Sequence, residues 1–132
     1  MHEWALAEAI IKSTLEIAEK EGLAEVREVK IKVGELQQVE VDILKFALSE
    51  LRVGKLENAE FMIETIKAEL LCRACGHKWS FSQNKLDREA AEAVHFVPEI
   101  VHAYIKCPEC GSPDFEILEG RGIVIESIKG IK

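Results

Sequence analysis

The chain has 132 residues, 48% of them hydrophobic, which suits one domain or a small domain plus a metal-held module and excludes a disordered composition. Its formal charge is −7, a poor balance for non-specific nucleic-acid binding, because phosphates reward lysine and arginine. No apolar run approaches the length of a membrane span, and the first residues lack the basic flank and cleavage site of a secretory signal, so a soluble cytoplasmic protein is expected.

From Glu3 to Glu21, Trp4, Leu6, Ala9, Ile10, Leu15, Ile17 and Ala18 recur at helical intervals. Gly22 supplies a stop, and Trp4 and Leu6 are expected to anchor the helix to a sheet. The segment "EVREVKIKVGEL" alternates, with Val29, Ile31 and Val33 on one side and Lys30 and Lys32 on the other, as in a half-buried strand. "VEVDILKFALSEL" returns to helical spacing, and Gly54 ends it. "AEFMIETIKAELL" reads as one second strand running directly into Cys72, with Phe61, Ile63 and Thr65 on one face. "HKWSFS" predicts a short strand and "KLDREAAEAV" a short helix, broken by Pro98. "DFEILEG" and "GIVIESIK" are both β-like, and the second is apolar enough to predict a buried strand that returns to the N-terminal sheet. The expected fold is α+β: two helices packed on a small three-stranded mixed sheet, with an inserted zinc-ribbon-like module. The expected division is residues 1–70 plus 120–132 for the α+β domain and 71–119 for the module.

The strongest chemical signal is "CRACG" with "CPECG". Cys72 and Cys75 form one C-x-x-C pair, Cys107 and Cys110 the other, with 31 residues between the pairs. In a reducing compartment such spacing points to metal rather than disulfides. Each C-x-x-C turn aims two sulfurs at one ion, and the glycine after each pair, Gly76 and Gly111, permits the positive φ such a turn needs. Four thiolates make a closed, tetrahedral, structural zinc site. Two other classes use the same turns: a rubredoxin-like iron electron carrier and a zinc-ribbon nucleic-acid or protein adaptor. Basic and acidic residues are mixed through the module, which weakens the nucleic-acid reading. His77 reads as a solvated neighbour of the first pair, and Trp79 and Phe81 as packing over it.

The opening "MHEWALAEAI" raises a second metal question. A free amine on Met1, the amide nitrogen of His2 and the His2 imidazole form fused chelate rings in one plane, a donor set suited to square-planar Ni(II) or Cu(II). An ordinary solvated histidine fits the same residues.

Taken together, "MHEWALAEAI" at the start, "KIKVGELQQVEVDILKFAL" in the middle, and "CRACG…CPECG" before "GRGIVIESI" resemble the HypA family, the nickel metallochaperones of [NiFe]-hydrogenase maturation. The resemblance runs the whole chain in order, and the long gap between cysteine pairs is similar to archaeal members. It implies transient Ni(II) at Met1 and His2 with Glu3 beside them, and structural Zn(II) at Cys72, Cys75, Cys107 and Cys110. It also implies two partners, a HypB-type nucleotide-hydrolysing protein and the hydrogenase large-subunit precursor. A homodimer is compatible with the sequence, and with no nucleophile–base pair at a motif spacing, no phosphate loop and no signature carboxylate pair, a carrier rather than an enzyme is expected. A planar site leaves one position for a further donor. His102, flanked by Ile100, Val101, Ala103 and Tyr104, reads as packed or strand-bound, so His95, where a helix pattern ends before Pro98, is the expected fourth ligand.

Overall fold

The computed structural model describes residues 2–81 and 86–132, and the chain forms two compact units. The first comprises Met1–Lys32, Val39–Glu64 and Val124–Lys132, and the second Val33–Gln38 and Thr65–Ile123.

In the first unit, α1 (Glu3–Lys20) packs on α2 (Val41–Glu50). The buried side of α1 is Glu3, Ala7, Ile10, Ile11, Thr14 and Ala18, a continuous stripe at three- and four-residue spacing. Thr14 is accommodated there because its hydroxyl donates to the Ile10 carbonyl at 2.7 Å. Trp4 is not an anchor to the sheet: it is 42% exposed and meets Phe46 of α2 edge-on, ring centroids 6.1 Å apart. The apolar list read from the sequence mixed both sides of the helix, and only the stripe that includes Ile10 and Ala18 is covered.

Strand β1 (Glu25–Gly34) is central in a three-stranded sheet of order β2-β1-β6, with β2 spanning Glu60–Ile66 and β6 Ile123–Ile131. Ala24 N–H donates to the Ile131 carbonyl and Gly34 N–H to the Gly122 carbonyl, so β6 runs antiparallel to β1. Val26, Val29, Ile31 and Val33 of β1 are buried. The last strand does return to this sheet, as expected, but it is an edge strand and not a buried one: Val124 and Ile131 are 59% and 50% exposed.

The second unit contains β3 (Glu69–Cys72), β4 (Lys78–Ser80) and β5 (Phe115–Glu119), in the order β4-β3-β5 and antiparallel throughout. Helices α3 (Arg88–Phe96) and α4 (Val101–Tyr104) lie between β4 and β5 in sequence. The Asp87 carboxylate caps α3 by accepting from Ala90 N–H at 2.7 Å, an interaction worth about 1 kcal/mol. The core joins Leu36, Leu70, Trp79, Val94, Val101 and Phe115 with the buried Cys72 and Cys107. Full burial of each large apolar side chain contributes roughly 1.5–3 kcal/mol. Ser82 and Lys85, the expected end of one strand and start of the helix, lie outside the described residues.

The single strand expected over residues 59–71 is two strands in two sheets. The chain changes sheets at Lys67–Ala68 because Ala68 is committed elsewhere: its N–H donates to the Glu35 carboxylate at 2.9 Å, and its carbonyl accepts from Phe81 N–H at 2.9 Å. Gly120, at φ +96°, presses against it so closely that a Cβ there would lie 2.3 Å from the Ala68 Cα. Leu36 N–H also donates to the Gly120 carbonyl at 3.0 Å, so residues 33–38 are built into the second unit.

Candidate metal centres

The two knuckles repeat one backbone pattern. Gly76 N–H donates to the Cys72 carbonyl at 3.0 Å and Gly111 N–H to the Cys107 carbonyl at 2.8 Å, with both glycines at positive φ. Cys72 N–H donates to the His77 carbonyl and Cys107 N–H to the Ser112 carbonyl, closing each loop. β3 and β5 hold the loops together: Cys72 is paired with Phe115, and Arg73 N–H donates to the Asp114 carbonyl at 2.9 Å.

The four sulfurs lie within 4.8 Å of one another. Cys72 Sγ is 3.6 Å from Cys110 Sγ, and Cys75 Sγ is 3.6 Å from Cys107 Sγ. A disulfide requires about 2.05 Å, whereas the edge of a tetrahedron with Zn–S bonds of about 2.3 Å is roughly 3.8 Å. The donors therefore fit zinc in both type and spacing. Cys75 N–H approaches the Cys72 sulfur at 3.4 Å, and this contact lowers the Cys72 thiol to about 7 against burial. At Cys75 a backbone hydrogen bond from His77 lowers the pKa, but burial and the neighbouring thiols outweigh it and push the group up to about 12. Zinc binding must then release protons, and acid works against it. Four sulfurs leave no open position, so zinc here would brace the knuckles and the core beneath them.

Trp79 and Phe81 do pack beside the knuckles, in the core that contains Cys72 and Cys107. His77 is half-buried and stacked flat on Trp79, centroids 6.0 Å apart. His102 is packed but helical: it lies in α4, stacks on Phe115 at 4.1 Å, and its Nδ1 lies 3.1 Å from the Pro113 carbonyl. His95 belongs to the last turn of α3. Its Nδ1 is 2.7 Å from the Gln37 carbonyl; a carbonyl only accepts, so Nδ1 carries the proton.

At the other expected metal site, Met1 lies outside the described residues. His2 is the N-cap of α1, exposed, with its carbonyl accepting from Leu6 N–H at 2.8 Å. Glu3 is 2% exposed, and its Oε2 accepts from the Glu40 N–H at 3.0 Å. Burial raises its pKa, but hydrogen bonds, that of Glu40 among them, outweigh this and hold the carboxyl at about 2. Glu40 is the N-cap of α2, so Glu3 places a negative charge at the positive end of that helix and ties the starts of both helices together. Neither Glu40 nor the module residues Glu35 and Gln37 stood out in the sequence, because their partners are distant in the chain or are backbone atoms.

Residues 1–130 match the family model described as "Hydrogenase/urease nickel incorporation, metallochaperone, hypA". The hydrogenase maturation factor HypA of Pyrococcus furiosus is 50% identical over 131 residues, covering 97% of this chain and 94% of the relative. HypA of Thermococcus kodakarensis is 44% identical over 132 residues, covering 98% and 95%. In fold, the chain is similar to the solution structure of the Ni metallochaperone HypA from Helicobacter pylori, with TM-score 0.63 at 22% identity over 99% of this chain and 98% of that one. These matches favour neither the electron-carrier nor the nucleic-acid reading. With the four-sulfur knuckle pair suited to structural zinc and a family match over almost its full length, the chain belongs to HypA, the metallochaperones of nickel incorporation and hydrogenase maturation.

Proposed function

We propose that this chain binds Ni(II) at its amino terminus, through the Met1 amine and the His2 amide and imidazole, and releases it to the hydrogenase maturation machinery. The carrying observation is the placement of His2: an exposed imidazole on a residue whose backbone is fixed as the cap of an eighteen-residue helix. The N-cap position gives its carbonyl to the first intrahelical bond, and its amide nitrogen lies outside the intrahelical ladder. The buried Glu3 carboxylate, next in the chain, holds the start of α1 against the start of α2, so the donors sit on a rigid support. Its role in this reading is to position the chelate from beside it.

The further donor is proposed as His95 on chemical grounds. A proton on Nδ1, held by the Gln37 carbonyl, is the backing that orients an imidazole for binding through Nε2. The proposed partners are a HypB-type nucleotide-hydrolysing protein and the large-subunit precursor, met in the cytoplasm. Among the described residues no helix is long and apolar enough to cross a membrane, which is consistent with that setting. The chain itself carries and transfers the ion without covalent chemistry. Zinc stays in the knuckles.

The test is nickel titration of untagged protein and of His2→Ala and His95→Ala. His2→Ala should weaken binding at least roughly 100-fold, about 2.7 kcal/mol, and remove the planar-nickel absorption. His95→Ala should alter the planar spectrum, alone or with the partner present. Affinity should rise with pH, since the donors must lose protons. Unchanged affinity in His2→Ala would overturn the site, and an unchanged spectrum in His95→Ala would leave water or a partner group as the fourth donor.

A further inference from the structure

The segment between the cysteine pairs carries several large apolar side chains at its surface. Phe96, Val97, Ile100 and Tyr104 are each 40–52% exposed. They follow one another from the end of α3, through a 3-10 turn at Pro98–Ile100, to the end of α4, and these three elements pack together. Phe96 also meets the His95 ring edge-on at 5.5 Å and still keeps about half its surface in solvent. Ala90 and Val94 of α3 are buried, so the helix is seated by its other side. Its outer side presents Glu89, Glu92, Ala93 and Phe96 at the i, i+3, i+4, i+7 spacing of one face. With Arg88 they line an open groove of about 600 Å³.

A large exposed apolar stripe marks an interaction site more often than chance surface composition does. Charge decides what covers this one. Glu89 and Glu92 are exposed acids on the wall of the groove, in a chain whose net charge is −7. A second copy would bring together two rims on each of which Glu89 and Glu92 outnumber Arg88. We propose that the groove and stripe dock a basic amphipathic helix of a partner protein. A nine-residue helix such as α3 is about 13 Å long, the length of two to three turns of a partner helix. A leucine-sized side chain would lie over Ala93 against Phe96, and lysine or arginine three or four residues away would reach Glu89 and Glu92. Phe96 touches His95, the proposed further nickel donor, so binding to this surface is measured without nickel.

The full zinc-loaded chain is titrated with two designed helical peptides that share a leucine stripe, one flanked by Lys and Arg and the other by Glu. The basic peptide should bind with a Kd of roughly 10–100 μM and the acidic one at least roughly tenfold more weakly. Phe96→Ser should abolish binding, with zinc content and circular dichroism confirming the fold. Glu89→Lys with Glu92→Lys, both exposed changes, should invert the preference between peptides. Failure of the basic peptide to bind, equal binding of both peptides, or retention of binding by Phe96→Ser would overturn the proposal. So would sedimentation showing a dimer that Phe96→Ser dissolves, which would make the surface a self-interface.

Discussion

The knuckle unit, with its four clustered sulfurs, and the amino-terminal unit, with the proposed nickel donors, each present a three-stranded sheet, but they hold those groups differently. In the knuckle unit two of the four donors are the ends of the core, while Cys75 and Cys110 are exposed. Cys72 and Cys107 are buried with Phe115 and Trp79, and the loops are closed by four backbone hydrogen bonds. Such a site is hard to open without opening the unit, which suits an ion that stays. At the amino terminus, His2 is exposed on the first turn of a helix, and what is buried is its neighbour Glu3. Glu3 ties the starts of two helices together beside the proposed donor, which is exposed, an arrangement suited to an ion that arrives and leaves.

The largest expected effect separates the two regions. Cys72→Ser removes a thiolate from a site whose metal contributes about 10 kcal/mol or more to order in small zinc modules. Zinc should be lost, and hydrogen exchange should accelerate over residues 65–123 and also over 33–38, which are packed into the same unit. Protection in α1 and β1 up to Lys32 should persist. Loss of protection throughout would show that the units are not separable.

Next in size is a pair of glycine substitutions. Gly120→Ala puts a Cβ 2.3 Å from the Ala68 Cα at φ +96°, where only backbone can give way, and should cost roughly 3–5 kcal/mol. Gly22→Ala in the first unit has the same sign of φ, +70°, but nothing within 4 Å, and should cost about 1 kcal/mol. Chemical denaturation of both variants measures the contrast; equal costs would show that the close approach at Ala68 carries no weight.

A smaller effect concerns Glu3. Its folded pKa, about 2, lies below the ordinary value of 4.5, so its stabilisation is present above the ordinary value and is lost as pH falls through the folded one. Glu3→Gln should cost roughly 1–3 kcal/mol at pH 7 and the difference should narrow toward pH 2. A difference independent of pH would mean that shape, and not charge, holds Glu40.

The cysteine pairs were legible in the sequence because C-x-x-C-G encodes its own geometry, and the element types were legible where period dominates, as in α1, β1 and α2. The break at Ala68 was not, since the apolar pattern runs on through "FMIETIKAELL" and the interruption comes from Glu35 and Gly120, distant in the chain. Residues 33–38 have no period that would assign them to the knuckle unit; Leu36 joins that core through tertiary contacts alone. The exposure of Trp4 was illegible for a related reason: helical spacing marks apolar residues, but the buried side of α1 also recruits Glu3 and Thr14, polar side chains whose hydrogen bonds lie within the fold.

In the proposed function nickel depends on the chain's first atoms, whereas zinc does not. The direct measurement is metal analysis after nickel loading and dialysis, on the native chain and on one extended by Gly-Ser before Met1. The extension leaves every cysteine and histidine in place and removes only the free amine of Met1. The expected result is equimolar zinc in both proteins and nickel retained by the native chain alone. Equal nickel in the extended chain would contradict it.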